Sequence, residues 1–162
     1  MSTLAYPSEQ FPAYPGVSLD CPDGWSALPT PQAQLAIVRD AGAEEFRANV
    51  VVVITRLLPE QTLETVAKEA AARLEALPGY EEVGRLEMEI SGHPGFRIEG
   101  AWTTQDTGTV AQALRATVVE HGGMRDLVQI TGTCSGGQVQ ALWETIRSVQ
   151  DSVRITVDGA AG

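Results

Sequence analysis

The sequence predicts an α+β fold: an α-β-α sandwich in which one mostly antiparallel sheet of about six to seven strands carries a helix on each face. Three observations predict it. The elements run as strands, a helix, a meander of strands, a second helix and a last strand. This order does not alternate strand with helix, as a doubly wound parallel sheet would. Short polar or glycine-rich turns separate the middle strands, which suits antiparallel neighbours. Two segments carry apolar residues at helical spacing, so each has a stripe to bury.

Taken in order, residues 1–16 form an arm with three aromatic-proline pairs, Tyr6-Pro7, Phe11-Pro12 and Tyr14-Pro15. Proline blocks helix and ladder hydrogen bonds, so the arm is extended or irregular. Val17 to Cys21 alternates apolar with polar, as a half-buried strand does. Pro22-Asp23-Gly24 is a turn signal, Trp25 to Leu28 alternates again, and Leu35 to Val38 is a short strand. Phe46 to Leu57 reads as the longest strand. Its unbroken run from Val50 to Ile54 predicts a central strand covered on both faces.

Leu63, Val66, Ala67, Ala70, Ala71, Leu74 and Leu77 make the stripe of the first helix, with Thr62 as its N-cap and Pro78-Gly79 at its end. Tyr80 to Ile90 and Phe96 to Thr104 read as a hairpin whose loop is Ser91 to Gly95. Val110 to Glu120 follows, then a turn at His121-Gly122-Gly123 and a strand from Leu127 to Thr131. Ser135-Gly136-Gly137 opens the second helix. Val139, Leu142, Trp143, Ile146 and Val149 form its stripe, and Gln140, Glu144 and Arg147 turn away. Val153 to Val157 is a last strand, and the tail 158–162 should fray. The expected division is an arm at 1–16, one domain at 17–157 and that tail.

A chain of 162 residues fits one domain. It buries about 70% of its unfolded surface and needs no staples. Its net charge of -10 works against tracking nucleic-acid phosphates. It also implies a neutral or basic protein partner, although most charge runs are solvated faces. The longest apolar run is too short for a transmembrane segment. Residues 1–7 show no basic n-region or apolar h-region, and no apolar stretch leads to Cys21. The expectation is therefore a cytoplasmic protein without signal peptide or lipobox, with export by a non-Sec route or a mature exported form as the alternative. Cys21 and Cys134 could form one disulfide, but a cytosolic chain would keep both reduced.

A family resemblance joins these elements. Val17-Ser18-Leu19-Asp20-Cys21-Pro22-Asp23-Gly24-Trp25 resembles the opening strand and Pro-x-Gly-Trp turn of PsbP-like proteins. Gly92-His93-Pro94-Gly95-Phe96-Arg97 resembles their middle hairpin, and the order of elements from about residue 16 to 157 is similar. Within that group the chain most resembles the actinobacterial LpqN/LpqT proteins. Ten arginines against the single Lys68 suit a GC-rich genome of that kind. The resemblance implies a binding or scaffold protein, as in photosystem II PsbP and a nuclear-import factor that binds a small GTPase. It implies no catalytic motif and no cofactor. The typical LpqN/LpqT protein is a lipoprotein, and the missing lipobox is a departure from that pattern.

Candidate chemistry is thin. Gly132-Thr133-Cys134-Ser135-Gly136 has the form of a nucleophile elbow, which would make the chain a cysteine hydrolase. The elbow belongs to a parallel sheet and needs a base, and both histidines, His93 and His121, fall in predicted turns. Cys134 is therefore expected to be a small buried residue. Two His and two Cys without CxxC or HxxxH spacing give no metal site. The expectation is a non-catalytic protein-binding or scaffold domain. The alternative is a carrier of a small or lipid-like ligand, with a pocket between sheet and helix. Tyr6, Phe11 and Tyr14 of the arm are the candidate binding residues. They would lie on the chain's own domain or, less readily, join two copies as a homodimer.

Overall fold

The computed structural model describes residues 1–157; the expected tail at 158–162 lies outside the described residues. Seven strands form one antiparallel sheet in the order β2-β3-β4-β8-β7-β6-β5. They are β2 (Trp25–Ala27), β3 (Leu35–Arg39), β4 (Asn49–Arg56), β5 (Glu81–Ile90), β6 (His93–Thr104), β7 (Gly108–His121) and β8 (Met124–Ser135). Two helices, α1 (Leu63–Glu75) and α2 (Val139–Asp151), complete the expected α+β architecture. The first strand, β1 (Gly16–Ser18), lies outside this sheet and pairs with β9 (Arg154–Thr156) in a separate two-stranded ribbon.

The pleat of β7 assigns the helices to opposite faces. Its odd positions Ala111, Ala113 and Val119 join a core with Val50, Val52, Val128, Ile130 and the α2 residues Leu142, Ile146 and Val149. Its even positions Leu114 and Ala116 join a second core with Phe96, Ile98 and the α1 residues Val66, Ala70, Ala71 and Leu74. Thr62 caps α1 as expected, accepting from the Thr65 backbone N–H, while the Thr65 hydroxyl accepts from the Thr62 N–H. At Gly132 of β8 an added methyl would run into Ile146, so glycine there lets α2 sit close to the sheet.

Four expectations about the strands change. The paired strand at 46–57 begins only at Asn49, because the Phe46 carbonyl instead accepts from the Gln138 side chain. Val50, Val52 and Ile54 are buried, but Val51 and Val53 are only half-buried, so the second face of β4 is only partly covered. The hairpin loop is two residues, not five. Ser91 and Gly92 both take positive φ, 51° and 82°, a twist that matches the flanking strands, so His93 to Gly95 belong to β6. Finally, β8 runs on through Cys134 to Ser135, paired with β7, instead of ending at Thr131.

Candidate functional site

Three places carry the chemistry expected from the sequence: the arm, Cys134, and the space between α1 and the sheet. The arm lies on the chain's own domain. Arg56, near the end of β4, pairs side-on with Asp126 of β8, with Nε to Oδ1 at 2.8 Å and Nη2 to Oδ2 at 2.9 Å. Its Nη1 donates to the Pro12 carbonyl at 2.9 Å, and Tyr14 lies over the guanidinium at 4.7 Å. His121 Nε2 meets Asp126 Oδ2 at 2.5 Å, so one buried carboxylate anchors both side chains. Burial works to raise the Asp126 pKa. The hydrogen bonds and charges of Arg56 and His121 outweigh it and hold the carboxyl below its ordinary value. Gly122 makes room for the arm: at φ +54°, an added Cβ would come within 2.7 Å of Pro12.

Of the expected arm residues, Tyr14 is brought into this clamp. Tyr6 and Phe11 are not, and they stay 62% and 46% exposed. The Tyr6-Pro7 peptide is cis. Arg56, His121 and Asp126 were not legible as partners: Arg56 and Asp126 stand 70 positions apart and meet only through the β4–β8 register.

Cys134 is wholly buried inside β8 opposite Ala111, and burial pushes its thiol up to about 11. His121 lies ten residues further along β7 than Ala111, or about 33 Å at strand rise. A buried thiol without thiolate character and without a nearby base is not a nucleophile, so the geometry removes the elbow. Cys21 is exposed and both thiols are free. Among the described residues no three His, Cys, Asp or Glu side chains gather as a metal-ligand set.

The third place is a groove. α1 packs its apolar stripe on β6, β7 and β8 and reaches β5 only through the ion pair of Glu75 with Arg85 at 3.5 Å. Leu63 and Ala67 of α1 form one wall, and Phe96 and Ile98 of β6 the floor. Arg85, Glu87 and Glu89 of β5 form the other rim, because they share the pleat face of Ile98, Phe96 and Pro94. The groove is open to solvent and holds about 840 Å³, within the range of small-molecule sites. β5 is the last strand of the sheet, ten residues long with one unpaired edge. Its bulge at Val83 and its charges hinder edge-to-edge self-association. No helix among the described residues is long and apolar enough to cross a membrane.

A family model described as probable lipoprotein LpqN matches residues 7–156. The chain belongs to the LpqN family. The fold agrees with solved structures. LpqN of Mycobacterium tuberculosis, described as involved in cell envelope biogenesis, superposes with a TM-score of 0.77 at 20% identity, over 90% of this chain and 86% of that one. The cyanobacterial PsbP of Synechocystis sp. PCC 6803 gives 0.59 at 12% identity, over 96% and 98%. The Ran-binding protein Mog1p of Saccharomyces cerevisiae gives 0.54 at 12% identity, over 85% and 89%. At these identities the likeness shows the fold, a PsbP/Mog1-like α+β sandwich. No curated protein sequence matches the chain.

Family membership overturns the cytoplasmic expectation. LpqN proteins are described as probable lipoproteins, and a lipoprotein is exported and held at the envelope. The expectation rested on the lack of a leader in residues 1–7 and of an apolar stretch before Cys21. A leader is no part of the folded domain, so these residues are no guide to location.

Proposed function

We propose that this LpqN-family chain is an exported, envelope-associated binding domain that holds a partner protein and catalyses nothing. The observation that carries this reading is the groove beside the free edge of β5. An extended protein segment could add to that edge by main-chain hydrogen bonds and seat alternate side chains over Phe96 and Ile98. Glu81, Glu82, Glu87 and Glu89 against Arg85 make the β5 edge acidic, which favours a neutral or basic segment. The burial and raised pKa of Cys134 support a non-catalytic role. The likeness to M. tuberculosis LpqN, which is described as involved in cell envelope biogenesis, supports a place in that process.

A second reading, a carrier of a small or lipid-like ligand, is favoured by the groove's volume of about 840 Å³. One substitution tests both. Ala67→Trp fills the groove from α1 and should abolish co-purification of any partner or ligand from envelope extracts, with the melting temperature kept. Ala141→Trp, on the exposed side of α2, should leave binding intact. Binding that survives Ala67→Trp would remove the groove from the function.

A further inference from the structure

The far side of the β5–β6 hairpin, on the face shared with α2, carries a charge cluster that neither the clamp nor the groove uses. Arg97 of β6 and Arg115 of β7 stand directly opposite each other. Two like charges facing across a ladder repel, and both lie at or near the buried interior. Glu99, two residues beyond Arg97 on the same face, is 2% exposed and takes both hydrogen bonds from Arg147 of α2. Arg115 is 3% exposed and its Nη1 pairs with Asp151 at 2.5 Å.

Three guanidiniums thus share two carboxylates. Arg97 is the one left over. Its Nε lies 3.9 Å from Glu99, beyond hydrogen-bond reach, and is buried without a partner, as is the Nε of Arg115. Glu144, three residues before Arg147, is exposed and forms no ion pair among the described residues. Within ion-pair distance the cluster therefore holds one more guanidinium than carboxylate, and the more distant charge of Glu144 acts on Arg147 alone. Arg97 meets Glu99 through charge and not through a hydrogen bond, so its half-buried guanidinium keeps donors that an added anion can take. Beside it lies apolar surface. Leu86 of β5, directly opposite Arg97, is 42% exposed, and Met88 follows on the same face.

We propose that Arg97 is the head-group site for a small amphipathic acid, whose carboxylate takes the free guanidinium fork and whose short aliphatic body lies on Leu86 and Met88. A single unbalanced charge calls for a monoanion, which favours a carboxylate over a doubly charged phosphate. The planar fork suits a carboxylate side-on. Arg97, Leu86 and Met88 also border the α1 groove, but by strand alternation they belong to the opposite face from Phe96 and Ile98, so the site is tested separately from that reading.

Calorimetric titration with octanoate, acetate and octanol tests it on the full chain. Octanoate should bind saturably, with acetate and octanol each weaker by about tenfold or more, since each lacks one half of the ligand. Arg97→Gln should weaken octanoate about tenfold with an unchanged melting temperature. Arg97→Lys, which keeps the charge but loses the fork, should recover part of that loss. Leu86→Ser, at an exposed position that cannot unfold the core, should weaken octanoate several-fold and leave acetate unchanged. Failure of octanoate to bind, or equal binding by wild type and Arg97→Gln, would overturn the proposal.

Discussion

The two faces of the sheet are built to different standards. On the α2 face Val50, Val52, Val128, Ile130 and Ile146 have no exposed surface, and the helix crosses close over Gly132. On the α1 face the helix covers β6 to β8 and leaves apolar ground uncovered on both flanks. Toward β5 lies the groove, and toward β3 and β4 the half-exposed Val51 and Val53 line a shallower depression with Leu28, Ala36 and Val38. One face holds the fold together. The other trades burial for accessible surface, as a binding domain must. Because the two cores share no side chains, the α1 face can vary without unpacking the α2 face.

Two neighbouring valines give the largest test of that contrast. Val52→Asp places an unpaired carboxylate in the closed core and should cost several kcal/mol, enough to leave little folded protein. Val53→Asp, one residue on and facing the open side, should cost about 1 kcal/mol. Urea unfolding of the two variants side by side reads the difference. Equal costs would mean that the two faces are equally closed. The helices allow the same comparison by truncation. Ile146→Ala should cost about 3–4 kcal/mol, since a fully buried side chain leaves a cavity. Leu63→Ala, at the half-exposed groove wall, should cost about 1 kcal/mol.

How far the sequence foretold these faces depended on the range of the interaction. The strand run at Val50 to Ile54 and the stripes of both helices are local patterns, and each produced its element. Coverage is not local: nothing in Val51 or Val53 says that α1 will stop at β8. The two-residue turn at Ser91-Gly92 was missed because Ser91 at φ 51° is an uncommon choice for a left-handed position, and Pro94 looked like a loop residue. Pro94 fits a strand because the β6–β7 ladder begins only at Gly95, so its missing N–H is not called on there. Arg147 was expected to face solvent, yet it reaches back to Glu99 on the sheet. A long side chain on a helix flank can do either, and only its partner decides. The one legible sign of the charge cluster was Arg115 sharing a strand face with Ala113, Thr117 and Val119.

The arm clamp ranks next in expected effect and carries a pH dependence. Asp126 is fully buried and its pKa is held below the ordinary carboxylate value. Its contribution is therefore complete above the unfolded-state value of about 4 and is lost as pH falls through the lower folded value. Glu99, also depressed despite its burial because of Arg147, Arg97 and Arg115, acts in the same direction. Asp126→Asn should cost about 2–3 kcal/mol at neutral pH, since Arg56 loses its buried counter-charge. It should also flatten the fall in melting temperature below about pH 4. A variant with the wild-type acid profile would show that the clamp carboxylate is not what acid attacks.

The smallest effect should come from the arm itself, and it separates the two ways an aromatic arm can work. Tyr14 is 44% exposed and meets Arg56 through its ring face. A cation–π contact at such a site is worth about 0.5–1 kcal/mol, so Tyr14→Ala should lower the melting temperature by only a few degrees. Tyr6 and Phe11 make less contact with the domain, and their replacement by Ala should leave stability unchanged. If the arm serves only its own chain, all three variants should elute in gel filtration like wild type. If Tyr6 and Phe11 instead join two copies, the double variant Tyr6→Ala/Phe11→Ala should shift a dimer toward monomer while keeping its melting curve. The clamp tethers the arm at Pro12 and leaves the residues before it on the surface. The expected outcome is therefore a small thermal shift for Tyr14→Ala and no change in elution for any of them.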